Sequence, residues 1–207
     1  MSTSSKTTPD GSWSGSRDLV AEQATAAAAD RRVDYVLSSE IHDARARLSS
    51  WVVERAEATA QRVGFRWAPT AHAPSTYADL CIAVFASGVV GHPLAVSSQH
   101  SDAVILISPE ANYAWRFVHD VAHVERRLTF SLPDEFALAL WHLDELERDG
   151  FSPDTLEYAF LKADTLGQVI VNATARRFPE DHARFALECQ KYGFEQGILR
   201  EIARESS

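Results

Sequence analysis

Two histidines one helical turn apart in the segment FVHDVAHV point to metal chemistry. His119 and His123 are four positions apart, so on a helix their imidazoles lie on the same side. Two imidazoles at this spacing can bind one divalent ion, as H-E-x-x-H helices bind zinc. Asp120 stands where such helices carry a general base, and Arg116 extends the same face. The spacing alone leaves an ordinary pair of core or surface histidines as the alternative.

Two more polar pairs lie on apolar stretches further along the chain. Glu135 and His142 are both within EFALALWH, and Asp164 and Gln168 are both within FLKADTLGQVIV. A buried polar group without a partner costs on the order of 1–3 kcal/mol, so each pair needs partners. Gly167, inside the third pair, indicates close approach of another backbone or a ligand. One shared site explains three such pairs more economically than coincidence, although Glu135 could instead stabilise the start of its helix.

The apolar periodicity predicts the helices that carry these pairs. A mainly α-helical single domain over residues 17–207 is expected, with a small β element near residues 65–108 that includes the segments HPLAVSS and DAVILIS. Residues 1–16, rich in Ser and Thr, are expected to form a disordered leader. The predicted helices cover residues 33–63, 77–86, 109–128, 134–149, 153–177 and 180–203, the last with a break near Gly193. Ser108, followed by Pro109 at the first helical position, Ser131 and Ser152 are the predicted N-caps of the third, fourth and fifth of these helices.

Composition excludes several classes of function. The 207 residues carry a formal net charge of −9, which disfavours a protein that binds the nucleic acid backbone. No apolar run approaches the roughly 20 residues that span a bilayer. Two distant cysteines and the lack of an export signal at the N-terminus favour the cytoplasm. A small-molecule substrate is therefore the expected partner.

The order of the polar residues resembles an uncharacterised family of phage and bacterial proteins. Its motif runs N-x-x-F-R-x-x-H-D-x-x-G-H, then F-x-x-x-G-E-E-x-A, a histidine, and E-T-R-G-Q. In this chain HDVAH is one residue shorter and lacks the glycine, and Asp164 replaces the glutamate. The similarity covers roughly residues 77–170, and the matching residues are Asn112, Arg116, His119, Asp120, His123, Phe130, Glu135, His142 and Asp164 to Gln168.

A fainter resemblance is to the biopterin-dependent aromatic amino acid hydroxylases. Their iron is held by two histidines of one helix and a glutamate some forty residues on, and Asp164 follows His123 by a similar interval. The resemblance implies that His119, His123 and Asp164 bind one ion. His142 or Glu135 is then an alternative ligand, and Gln168 supports the site. No segment of the chain matches a pterin-binding sequence.

Three functions follow from these observations. The first is a metalloenzyme with iron(II) and oxidative chemistry, or with zinc and a water activated by Glu135 or Asp120. The second is an HD-type phosphohydrolase, because FVHDVAHV resembles the LLHDIGH core of those domains; His92 or His100 and Asp164 would complete its ligands. The third is a non-catalytic interaction protein in which the polar pairs form a buried hydrogen-bond network.

Overall fold

The fold of the chain is mainly α-helical, with one small parallel sheet. The computed structural model describes residues 15–99, 101 and 104–204, and side chains among these from residue 38 onward. The chain divides into two compact units, with the boundary between Ile41 and His42 inside helix α1. The cavity and the candidate site belong to the second unit. The predicted leader lies almost wholly outside the described residues. The helices are α1 Gly15–Val63, α2 Tyr77–Val90, α3 Pro109–Arg126, α4 Leu132–Arg148, α5 Leu156–Lys162, α6 Gln168–Ala175, α7 His182–Tyr192 and α8 Phe194–Ile202.

Capping residues fix where helix α3 begins and ends. The Ser108 hydroxyl accepts a hydrogen bond from the backbone N–H of Ala111, and Pro109 takes the first helical position, as the sequence predicts. Arg127 ends the helix in the left-handed region at φ 58°, where its N–H donates to the carbonyl of His123. The ends of α3 therefore set where the side chains of the HDVAH segment lie.

The sheet pairs β1 (Trp67–Thr70) with β2 (Leu94–Ser97) in parallel, and α2 is the crossover between them. The expected strand in HPLAVSS is correct, but its partner lies in FRWAPTAHAPS rather than in DAVILIS. The backbone of DAVILIS has other partners: the Arg45 guanidinium donates from Nε to the carbonyl of Ile105 at 2.7 Å and also reaches Val104 and Leu106. Carbonyls satisfied by a guanidinium do not need a neighbouring strand.

The predicted helix over residues 153–177 is interrupted in the middle. Thr155, rather than Ser152, caps α5 by accepting from the N–H of Tyr158. Residues Ala163–Gly167 then form a π-helical turn, called here the π-turn, before α6 continues. A Cβ atom on Gly167 would lie 3.0 Å from the Phe185 ring, so an aromatic side chain of α7 approaches this glycine closely, rather than the backbone or ligand that the sequence predicts.

The core contains charged and polar side chains as well as apolar ones. His123 and His142 are among the largest fully buried side chains, together with Phe117, Phe160 and Phe185. In the part of the chain that the structure describes, no helix is long and apolar enough to cross a membrane.

Helices α7 and α8 pack so closely that Gly197 cannot carry a side chain. A Cβ atom there would lie 2.6 Å from Cα and 2.8 Å from the backbone N of Cys189, and backbone atoms cannot move aside cheaply. We expect Gly197→Ala to lower the free energy of unfolding by about 1–3 kcal/mol, measured by urea denaturation.

Gly88 in helix α2 provides the matched control for that substitution. A Cβ atom on Gly88 meets only the Phe65 ring at 3.9 Å, so Gly88→Ala should leave stability unchanged or raise it by up to about 1 kcal/mol. Equal effects of the two substitutions would show that helix propensity, and not the contact with Cys189, decides the result.

Candidate metal centre

Three side chains from two helices converge on one point. His119 and His123 come from α3 and Glu135 from the first turn of α4, and one ligand atom of each lies within 4.8 Å of the others. The two Nε2 atoms are 3.0 Å apart, and the Glu135 carboxylate oxygens lie 3.7 Å from His119 Nε2 and 3.5 Å from His123 Nε2. Ligands placed tetrahedrally at zinc bond lengths are separated by about 3.3 Å, so the donor set fits a single ion.

A backbone hydrogen bond determines which nitrogen of His123 faces this point. Its Nδ1 lies 2.8 Å from the carbonyl of Leu128, an acceptor, so Nδ1 carries the proton and donates it. The Nε2 lone pair of a neutral His123 therefore faces His119 and Glu135. The Phe130 ring packs edge-on against the imidazole at 4.9 Å between centroids, and the side chain is fully buried. The ring orientation is thus fixed by the turn that follows α3.

The ring of His119 lies between His123 and His142. Its Nδ1 is 3.3 Å from Nε2 of His142, which packs against Trp115 and Trp141 with centroids 4.5 and 4.8 Å away. Burial lowers the pKa of His142 well below its ordinary value, and nearby positive charge lowers it further. A neutral His142 can therefore either accept from His119 Nδ1–H or donate to an unprotonated Nδ1.

Two proton arrangements satisfy this chain of imidazoles. In one, His142 donates to His119, His119 donates from Nε2 to His123, and His123 donates to Leu128, with no ion needed. In the other, His119 carries its proton on Nδ1 and donates to His142. Its Nε2 lone pair then joins that of His123, and only a cation between the two nitrogens makes this arrangement stable.

The charge of Glu135 favours cation binding. Burial raises its pKa, but the hydrogen bonds and charges of His119 and His123 outweigh burial and bring the pKa to about 2. The same carboxylate helps to raise the pKa of His123 above its ordinary value, against the lowering effect of burial. Side-chain exposures of 28% for His119 and 25% for Glu135 leave the cluster reachable, whereas His123 has none.

The turn between α3 and α4 positions Glu135. Asp134 accepts from both the backbone N–H and the hydroxyl of Thr129, at 2.9 and 2.5 Å, and these bonds close the turn at its α4 end. The predicted N-cap Ser131 makes no side-chain capping bond. Glu135 is therefore held beside the two imidazoles. The sequence left three alternative roles for it: activating a water, binding the metal, or stabilising the start of its helix.

Asp120 and Arg116 line the same cavity as the cluster. Burial raises the pKa of Asp120 to about 6, although the charges of His119, His123 and Arg116 oppose the rise. Arg116 donates from its two terminal nitrogens to the carbonyls of Ser97 and Gln99, at 2.8 and 2.7 Å. Burial lowers the pKa of its guanidinium. Arg116 therefore fixes the end of β2 against α3 while keeping a positive charge at the cavity wall.

The third predicted pair lies on another wall of this cavity, whose volume is about 770 Å³. Gln168 Nε2 donates to Asp164 Oδ1 and to His182 Nδ1, both at 2.8 Å. The cavity is thus lined by both members of the first and third pairs and by Glu135 of the second, whereas His142 contacts His119 without lining it. Neither Asp164 nor His142 is among the three side chains that converge. His182, the first residue of α7, was missed because no polar or charged residue lies three or four positions from it in the sequence.

Of the additional ligands nominated for a phosphohydrolase, Asp164 lines the cavity and His92 does not. His92 is exposed just before β2 and is not among the lining residues. His100 lies outside the described residues.

Comparisons of the chain with known protein families, with curated proteins and with solved structures gave no match. The candidate site is therefore defined by the geometry of these side chains.

The hydrogen bonds around the imidazoles predict their tautomers. We expect His123 to carry its proton on Nδ1 with or without metal, and His119 to move its proton from Nε2 to Nδ1 when zinc is added. The ¹⁵N shifts of the ring nitrogens in a two-bond ¹H–¹⁵N correlation spectrum measure both, and exposed His72 is the internal reference. An Nε2–H tautomer of His123 would contradict the bond to Leu128.

Proposed function

We propose that this chain is a metal-dependent hydrolase acting on a small molecule, with His119, His123 and Glu135 as the metal ligands. The observation that carries the proposal is the convergence of these three donors in the lining of a cavity of about 770 Å³. A cavity of this size suits a substrate of ordinary metabolite or drug dimensions. Two imidazoles and a glutamate are the donor set of catalytic zinc sites that keep a position open for water or substrate.

Zinc at these ligands would supply a Lewis acid and lower the pKa of a bound water to about 7. The ligands come from α3 and α4, two regular helices, so their positions are rigid. His142 and the carbonyl of Leu128 contact the other ring nitrogens of His119 and His123. Such contacts hold an imidazole in the orientation that ligation requires.

Asp120 is the candidate general base. It follows His119 directly, in the position of the glutamate of H-E-x-x-H helices, and it lines the cavity that contains the cluster. Glu135 is then free to act as a ligand. The guanidinium of Arg116, fixed by two carbonyls at the same cavity, would stabilise negative charge that develops on the substrate.

Iron(II) with oxidative chemistry is the second candidate. The observation that favours it is the same donor set, because two histidines and one carboxylate also form the facial triad of non-haem iron oxygenases. Metal analysis of protein purified without oxygen, followed by activity screens with each metal, separates the two candidates.

Zinc binding tests the ligand assignment directly. We expect the protein to bind one zinc ion per chain, and His119→Ala, His123→Ala or Glu135→Gln each to weaken binding by at least about 100-fold, because each removes one of three ligands. Competition with a chromophoric chelator measures the affinity. The control is His72→Ala, an exposed histidine that should change nothing.

The absence of stoichiometric zinc or iron in the parent protein would contradict the proposal. It would also favour the interaction protein, in which the three imidazoles form a hydrogen-bonded chain without metal. Activity confined to phosphate esters, with loss of activity in His92→Ala, would instead support the HD-type phosphohydrolase.

Asp120→Asn separates the role of base from the role of ligand. We expect this variant to retain zinc affinity within about threefold of the parent but to lose at least about 100-fold in kcat on any ester or amide that the parent hydrolyses, because loss of a general base costs about 10²–10⁴. Asp144→Asn, an exposed substitution on α4, is the control. Loss of zinc together with activity would make Asp120 a ligand instead.

A further inference from the structure

A buried carboxylate on the cavity wall has no close cationic partner among the described residues. Asp164 is only 9% exposed, and among the described residues its carboxylate accepts one hydrogen bond, from Gln168 at 2.8 Å. A carboxylate taken out of water costs several kcal/mol unless it is paired and fully hydrogen-bonded. One amide donor leaves most of the acceptor capacity of Asp164 unused.

The neighbouring basic groups do not fill this role. The guanidinium of Arg116 donates to the carbonyls of Ser97 and Gln99, and no carboxylate of the described residues lies within ion-pair distance of it. His182 accepts from Gln168 at Nδ1, so this nitrogen turns a lone pair, not a proton, toward Asp164 Oδ1 at 3.9 Å. Among the described residues, the one tight contact of the carboxylate is thus the neutral amide of Gln168.

The backbone holds Asp164 in this position through an irregularity. The carboxylate belongs to the π-turn, and π-helical turns inside α-helices occur frequently at functional sites. Gly167 closes the π-turn against Phe185 at 3.0–3.1 Å and Phe194 at 3.4 Å, measured from a Cβ built on the glycine. The packing of α7 and α8 therefore fixes the place from which Asp164 faces the cavity.

Gln168 adds a second acceptor beside the carboxylate. Its Nε2 donates to both Asp164 and His182, so the amide is oriented from one end, and no described residue donates to its Oε1. A protonated primary amine offers three donors and a positive charge, which matches two acceptors of which one is an anion. A neutral hydroxyl offers a single donor and leaves the charge unpaired.

We infer that Asp164 and Gln168 form a binding site for the protonated amine of the substrate, in the cavity that the metal ligands also line. This inference rests on the proposed function, since it makes the hydrolysed molecule an amine-bearing one. It also assigns Asp164 a role distinct from metal ligation. The amine site and the metal site are built on different helices, so each can be tested without the other.

A matched pair of ligands tests the amine site. Benzylamine is protonated at pH 7 and benzyl alcohol is its neutral counterpart of similar shape. We expect isothermal titration of the zinc-loaded full chain to show benzylamine binding at least about tenfold more tightly than the alcohol, because hydrogen bonds to a charged group are the stronger ones. Asp164→Asn should remove this preference while zinc affinity stays unchanged.

Two further variants keep the test sharp. Gln168→Met should also reduce the preference for the amine, which covers the case in which Asp164→Asn unfolds. Asp154→Asn, an exposed aspartate that is not among the cavity-lining residues, should leave the preference intact. Unfolding curves of all three variants identify any that fail to fold.

The outcomes separate the two proposals. Equal binding of amine and alcohol, or an amine preference that survives both cavity variants, would overturn the amine site. A loss of zinc in Asp164→Asn as large as in Glu135→Gln would also overturn it and make Asp164 a ligand. If the parent protein binds no zinc but still prefers the amine, the amine site stands and only the metal proposal fails.

Discussion

The hydrogen bond between His123 Nδ1 and the carbonyl of Leu128 is the interaction on which the candidate site depends. It exists because α3 ends at Arg127 in a left-handed turn that places the next carbonyl beside the imidazole. It commits the Nε2 lone pair of a neutral, fully buried histidine to the point that His119 and Glu135 also face. When His123 is neutral, the protonation of His119 decides between a metal ligand set and a closed hydrogen-bonded chain.

Buried polarity in this protein is concentrated rather than dispersed. His142, His119 and His123 form one line of imidazoles, with an ionised Glu135 at its open side. Asp164 of the π-turn and Gln168, the first residue of α6, line the same cavity. Three polar pairs in an apolar core would each destabilise the fold without partners. Convergence lets the first two pairs satisfy each other. Among the described residues, the carboxylate of the third pair has one amide donor at 2.8 Å and His182 at 3.9 Å.

The sequence predicted the parts of the fold that local interactions determine. The Ser108 cap, the apolar face of α1 within residues 42–63 and the break at Gly193 follow from short-range patterns, and the structure confirms them. The predicted pairing of β2 with the segment DAVILIS was wrong. Arg45, some sixty residues away in the sequence, satisfies the carbonyls of Val104, Ile105 and Leu106 instead. The π-turn was not predicted, since it depends on the tertiary packing of Phe185 and Phe194 around Gly167.

The site shows the same division between local and long-range information. Helical spacing correctly placed His119 and His123 on one face, but it could not rank Glu135 against Asp164 as their third neighbour. That ranking depends on the turn after α3, where the bonds between Thr129 and Asp134 bring the start of α4 back to the imidazoles. Asp164, in the π-turn after α5, lines the same cavity but is not among the three side chains that converge. The five-residue turn between α3 and α4 therefore places Glu135 beside the two histidines. Asp164, which does not join them, is available to bind a different ligand.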